Sequence, residues 1–191
     1  MLSAQTTGGA EMAGSGETEG AEMTEDQSLL AALLEAWNRN TTILTGLLRA
    51  LPAGGLEARA LKDSPSVAQL FMHLHFVRVC AVYENDPQIA AARPELRLDD
   101  RLEWVAESDP ERIATLLQDS AELMRSAFRG WVEERRGRVG VYAHPVLLLQ
   151  HVLWHEAYHT GQIKLVLKAA GLGLSDEVAG PVTWDVWRRG S

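Results

Sequence analysis

The chain has 191 residues, 46% of them hydrophobic, a formal net charge of -8 and a single cysteine. That length supports one domain around one sizeable core, and the lone Cys80 excludes an intramolecular disulfide and a cysteine-rich zinc site and fits a reducing, cytoplasmic compartment. The acidity is local: Glu11, Glu17, Glu19, Glu22, Glu25 and Asp26 precede Ser28 with no Lys or Arg among them, and taking those six from 26 acids leaves 20 against 18 bases, so neither a nucleic-acid footprint nor a polybasic membrane patch is expected.

Residues 1–27 are rich in Gly, Glu, Ala, Thr and Ser and cannot bury enough apolar surface to offset ordering, so they read as a disordered acidic tail without a secretory h-region. The folded domain is expected over residues 28–191, and no apolar run in it reaches the ~18 residues of a membrane span. From Ser28, Leu30, Leu33, Leu34, Trp37, Leu44, Leu47, Leu48 and Leu51 form one helical stripe, ended by Pro52 and the Gly54-Gly55 pair. Ser64-Pro65 then offers a cap and a first-turn proline for a second helix carrying Val67, Leu70, Phe71, Leu74, Val77 and Ala81. A loop containing Pro87 and Pro94 leads to Ser108-Asp109-Pro110-Glu111, a capping signal for a third helix through Ile113, Leu116, Leu117, Leu123, Met124 and Phe128 to about Glu134. The mixed-sign run Glu133 to Arg138 reads as a solvated helix end rather than a phosphate site.

The fourth helix runs between His144-Pro145 and Gly171, with Lys164 and Lys168 near its C-terminal carbonyls. Its apolar stripe is expected through Leu148, Val152, His155, His159, Ile163 and Val166, which places two imidazoles one turn apart where core residues belong. Four such patterns and no alternating strand predict an all-α bundle, a fold that builds cofactor sites from inward side chains on different helices.

Two neutral imidazoles facing a core must satisfy four nitrogens, whereas a divalent metal takes one from each ring; the spacing therefore points to metal binding by His155 and His159. The same residues complete H-E-x-x-H, in which Glu156 would be the general base of a zincin. Leu165 stands where the extended metzincin pattern wants a third His, and Gly171 ends the helix before Glu177, so Glu156 is expected to face solvent. Its replacement by Gln is accordingly expected to leave folding and most turnover intact. A third ligand must come from the second helix, where His73 and His75 lie on opposite shoulders of the stripe and periodicity does not choose between them.

SVAQLFMHLHFVR at Ser66 to Arg78, together with WHEAYHTGQIKLVLKAAG at Trp154 to Gly171, resembles the DinB/YfiT-like family of metalloenzymes, and the likeness extends over about residues 28–187, including Trp184 to Trp187. The resemblance implies a four-helix up-down-down-up bundle and a ligand set of His73, His155 and His159, with Gly161 and Gln162 completing the HxxxHxGQ motif. It implies a divalent ion, zinc first with nickel, manganese or iron as alternatives, and for some members a low-molecular-weight thiol cosubstrate and a homodimer. Arg78, His151, Tyr158 and Gln162 are candidates for supporting the ligands or touching substrate, whereas His75 and His144 are expected to be surface or capping residues. Three His ligands leave an open position on the ion. The expected function is therefore a metal-dependent enzyme acting on small molecules, a thiol S-transferase among the choices. The alternatives are a metal-dependent hydrolase, including the HExxH zincin type, and a metal-binding bundle without turnover.

Overall fold

Each long helix begins on a capping signal that the sequence carries at that point. The structure, a computed structural model, describes residues 24–92 and 104–188. Most of the expected acidic tail lies outside the described residues. Helix α1 (Glu25–Arg49) starts three residues before Ser28, because Thr24 and Gln27 cap each other's backbone N–H groups in a capping box. Helix α2 (Val67–Tyr83) uses the same device through Ser66 and Gln69. Ser64, the expected cap, bonds instead to Leu61. A short α3 (Pro87–Ala92) follows. Asp109 caps α4 (Pro110–Glu133) by accepting from Glu111 N, and the His144 ring caps α5 (Pro145–Ala169) by accepting from Val146 N. Gly171 closes α5 with a φ of 74°. Two short helices, α6 (Asp176–Val182) and α7 (Trp184–Arg188), complete the described chain. Among the described residues there is no strand, only two isolated bridges, so the protein is all-α. No helix among them is long and apolar enough to cross a membrane.

The four long helices bury their stripes in two clusters rather than one. The first includes Leu34 and Trp37 of α1, Val79 and Val82 of α2, Met124, Phe128 and Trp131 of α4, and Leu148 and Val152 of α5. The second includes Leu44, Leu47 and Leu48, then Leu70, Phe71 and Leu74, then Ile113 and Leu117, then Ile163 and Leu167. Each such side chain contributes roughly 1.5–3 kcal/mol on burial. Between the clusters, all four helices carry buried polar residues: Asn40 and Thr41, Arg78, Ser120, and Glu156 with His159. This polar layer is where the candidate site lies. The C-terminal helices pack on α1, where Val182 approaches the position a side chain would occupy at Gly46, at 3.1 Å. Arg39 holds α7 by donating to Trp187 O at 2.9 Å.

Candidate metal centre

His73 on α2 and His155 and His159 on α5 turn their Nε2 atoms toward one another. His155 Nε2 lies 3.2 Å from His73 Nε2 and 3.0 Å from His159 Nε2. The three residues each offer a ligand atom, all within 4.8 Å of one another. Imidazole nitrogens bound at ~2.1 Å to one ion stand about 3.0–3.4 Å apart for coordination angles between octahedral and tetrahedral, so these rings fit a shared divalent ion. Protonation is disfavoured in the same place. Burial, then the neighbouring His159 and His155, holds His73 down at about 4 from an ordinary 6.5. Burial, then His159 and His151, brings His155 to about 4 as well. Burial also lowers His159, against its hydrogen bond to Gln162, which raises it. At neutral pH all three rings are therefore uncharged, the form in which imidazole binds metals.

The surroundings orient the cluster. His159 Nδ1–H donates to Gln162 Oε1 at 2.6 Å, which commits its Nε2 lone pair to the centre, and Gln162 Nε2 donates in turn to Tyr158 OH at 3.1 Å. Trp104 stacks on the His73 ring with centroids 4.2 Å apart and planes 5° from parallel. Gln69 fixes that tryptophan's backbone by donating to its carbonyl at 2.6 Å.

Next to the cluster, the polar layer holds a buried ion pair. Arg78 Nε and Nη2 donate to Glu156 Oε1 and Oε2 at 2.5 and 2.9 Å, and both side chains are essentially inaccessible. Asn40 also donates to Glu156 Oε2. Arg78 Nη1 donates to Leu117 O at 2.8 Å, Nη2 reaches Thr41 Oγ1 at 3.3 Å, and the guanidinium lies 4.7 Å from the centroid of the Trp37 ring. One arginine thus touches all four long helices.

A groove of about 320 Å3 adjoins the cluster, lined at one end by His155 and farther out by Cys80, Glu84, Tyr142 and His151. Tyr142 OH and His151 Nδ1 are 2.6 Å apart in its wall.

The family model of the DinB family matches residues 23–174. The chain belongs to the DinB family. No curated protein and no solved structure matches it. Within this DinB protein, the structure brings together the three residues that the resemblance singled out and leaves the other α2 histidine apart. His75 is 8% exposed, and its Nδ1 lies 2.9 Å from Leu116 O, so the expectation that it is a surface or capping residue is corrected: it is a satisfied core histidine. His144 does cap α5. His151 and Tyr158 are both exposed, Gln162 joins Tyr158 to His159, and Arg78 is wholly enclosed, with no solvent path for an anionic substrate.

Glu156 requires a second correction. It was expected to face solvent and is instead 0% exposed. The buried stripe of α5 runs through Leu148, Val152, Glu156, His159 and Ile163, so the carboxylate occupies the core position and His155 stands at its shoulder. A 4-3-4 count from Val152 passes through 156 and not 155. That count, together with an arginine at position 78 in line with Phe71, Leu74 and Ala81, was the available signal for the buried pair. The Trp104 stack had no such signal, because no local periodicity brings the segment before α4 onto α2.

Proposed function

We propose that this DinB protein is a metal-dependent enzyme acting on small molecules, with His73, His155 and His159 holding one divalent ion at the inner end of the groove. The observation that carries this reading is the convergence of three neutral Nε2 atoms from two helices on one point. Zinc is the first choice for the ion, and nickel, manganese and iron suit the same donors. When bound, the ion supplies a Lewis acid that favours the deprotonated form of a water or thiol nucleophile. The chain's own residues do the rest. Gln162 holds His159 in the Nδ1–H tautomer, and Trp104 and Tyr158 cover the cluster with apolar rings while His155 borders the groove through which a small molecule reaches it.

Of the enzyme readings, thiol S-transfer is favoured over the zincin form of hydrolysis. A zincin needs its glutamate free to take a proton, and both oxygens of Glu156 are engaged by Arg78, with Asn40 adding a further donor. The up-down-down-up order belongs to the same proposal; it is supported by the two core clusters, one joining the first halves of α1 and α5 to the second halves of α2 and α4 (Leu34, Leu148, Val82, Phe128) and the other joining the opposite halves (Leu47, Ile163, Leu70, Ile113). So does a homodimer. Leu147, Trp154, Tyr158 and Leu165, all more than half exposed, share a stripe on α5 with Gly161 at the 4-3 spacing of a helix seam, and a second copy of the same face is the partner such a stripe suits.

The test is metal analysis of protein purified without a histidine tag, followed by a thiol-conjugation assay on small electrophiles. One ion per chain, lost in His159→Ala together with turnover, is the expected result. A parent chain that binds no divalent ion overturns the reading, and one that binds an ion without conjugating any electrophile leaves only the non-catalytic bundle. For the dimer, Trp154→Glu should convert a two-chain species into a one-chain species in sedimentation, and a parent that is already monomeric refutes it.

A further inference from the structure

The groove beside the cluster is made by two facing stripes. On α2 and its C-cap, Val77, Cys80 and Glu84 follow His73 at steps of 4, 3 and 4 residues, and on α5, Leu148, Val152 and His155 precede His159 at the same steps. The turn bearing Gly140 and Tyr142 walls the far end, and its form is enforced: Gly140 has a φ of 56°, and a Cβ there would lie 1.6 Å from Asn85 Oδ1. Seven residues of helix, from Leu148 to His155 or from Val77 to Glu84, span ~10 Å. The groove's volume of about 320 Å3 is at the small end of the ~300–1,000 Å3 typical of small-molecule sites.

Its lining is graded. The middle is aliphatic, with Val77, Ala81, Leu148 and Val152. The polar groups at the outer end are mostly committed to one another: Asn85 donates to Ala81 O at 2.7 Å, and Tyr142 OH pairs with His151 Nδ1. Glu84 differs. Among the described lining residues it is the one carboxylate and, the histidines aside, the one fully charged side chain; it is exposed and has no ion-pair partner among the described residues. Arg138, on the turn that walls the far end, donates to Gly140 O at 2.9 Å and is not among the described lining residues.

We infer that this groove binds an elongated organic cation, with its metal-seeking head at His155, an apolar stem against Val77, Leu148 and Val152, and an ammonium group at Glu84. The head end rests on the metal-site reading; the charge preference at Glu84 does not. An anionic tail of the same length is selected against, because it would bring its charge to Glu84 with no cationic side chain among the described lining residues to offset it.

Three thiols of equal length separate the possibilities: aminohexanethiol, hexanethiol and mercaptohexanoate, titrated by calorimetry into the metal-loaded full chain at low salt. An exposed ion pair changes affinity by only a few fold, so the amine should bind about threefold more tightly than the neutral thiol and about tenfold more tightly than the acid. Glu84→Gln should reduce the amine-to-acid ratio to below about twofold, Glu84→Lys should invert it, and salt near 0.5 M should shrink it, since screening acts over a few ångströms there. Val77→Trp should weaken all three probes by filling the stem region while retaining the ion. Equal binding of the three thiols to the loaded parent, or a preference indifferent to Glu84→Gln, overturns the inference and leaves the metal site standing. If the chain takes up no ion, the metal reading fails by itself, and hexylammonium against hexanoate is titrated instead: a Glu84-dependent amine preference upholds the groove, and its absence overturns it.

Discussion

Replacing Glu156 by Gln tests the structure where it departs most from what the sequence suggested. The substitution preserves size, which by itself predicts little disturbance. The surroundings predict otherwise, because Arg78 and Glu156 are both fully buried and form a two-point ion pair at 2.5 and 2.9 Å. Removing one charge leaves the guanidinium with Leu117 O, Thr41 Oγ1 and the Trp37 face but no counter-charge. Breaking a buried pair from one side costs about 3–5 kcal/mol. For a chain of this size, 1 kcal/mol moves the midpoint by about 2–4 °C, so Glu156→Gln should unfold roughly 10 °C below the parent in a circular-dichroism melt. The double variant Arg78→Met with Glu156→Leu removes both charges and should lie within about 2 kcal/mol of the parent, far above the sum of the single losses. Chemical denaturation of all three proteins, metal-free, measures these values without interference from bound ion. A Glu156→Gln protein within about 1 kcal/mol of the parent would refute the view that the pair acts as one buried unit, and would make lost activity in that variant evidence for a catalytic glutamate.

His75→Ala should retain one ion per chain in metal analysis while losing about 1–3 kcal/mol in chemical denaturation, because it opens a cavity and leaves Leu116 O without its partner. Gln162→Ala should weaken metal binding about 10- to 100-fold in competition with a chromophoric chelator while leaving the fold intact, since that amide orients His159 and otherwise bonds only to the exposed Tyr158 hydroxyl. In metal-free protein, His73 and His155 titrate at about 4 when folded and near 6.5 when unfolded, so the unfolded chain binds more protons across that window. Stability should therefore be full above pH ~6.5 and fall as the pH drops toward 4, by at least about 1 kcal/mol at pH 5; denaturation midpoints unchanged between pH 7 and 5 would contradict the burial of the cluster.

The helices were legible because each has a stripe, a cap and a breaker within a few residues of one another. The caps moved by one to four residues where two candidates competed, and the reciprocal bonds of Thr24 with Gln27 and of Ser66 with Gln69 decided the outcome. The histidine spacing on α5 was legible as well, whereas the choice between His73 and His75 needed resemblance, since both are buried and both lie beside the stripe. What misled was the assumption that a core stripe is apolar. On α5 the helix places a carboxylate at the centre of its buried face and a histidine at the shoulder, an arrangement that makes sense only with Arg78 opposite, 78 residues away in sequence.

The cluster also joins parts of the chain that are far apart: His73 and His155 are separated by 82 residues. With a single cysteine, the protein has no internal disulfide. An ion held by both helices would act as a crosslink closing that loop, and a covalent bridge across such a loop restricts the unfolded chain by ~4–5 kcal/mol in the chain-entropy treatment. Unlike a disulfide, such a crosslink would be independent of redox conditions and removable by a chelator. Metal supply would then set how long the seam between α2 and α5 stays closed, and the folded lifetime of the protein would follow the metal content of its surroundings.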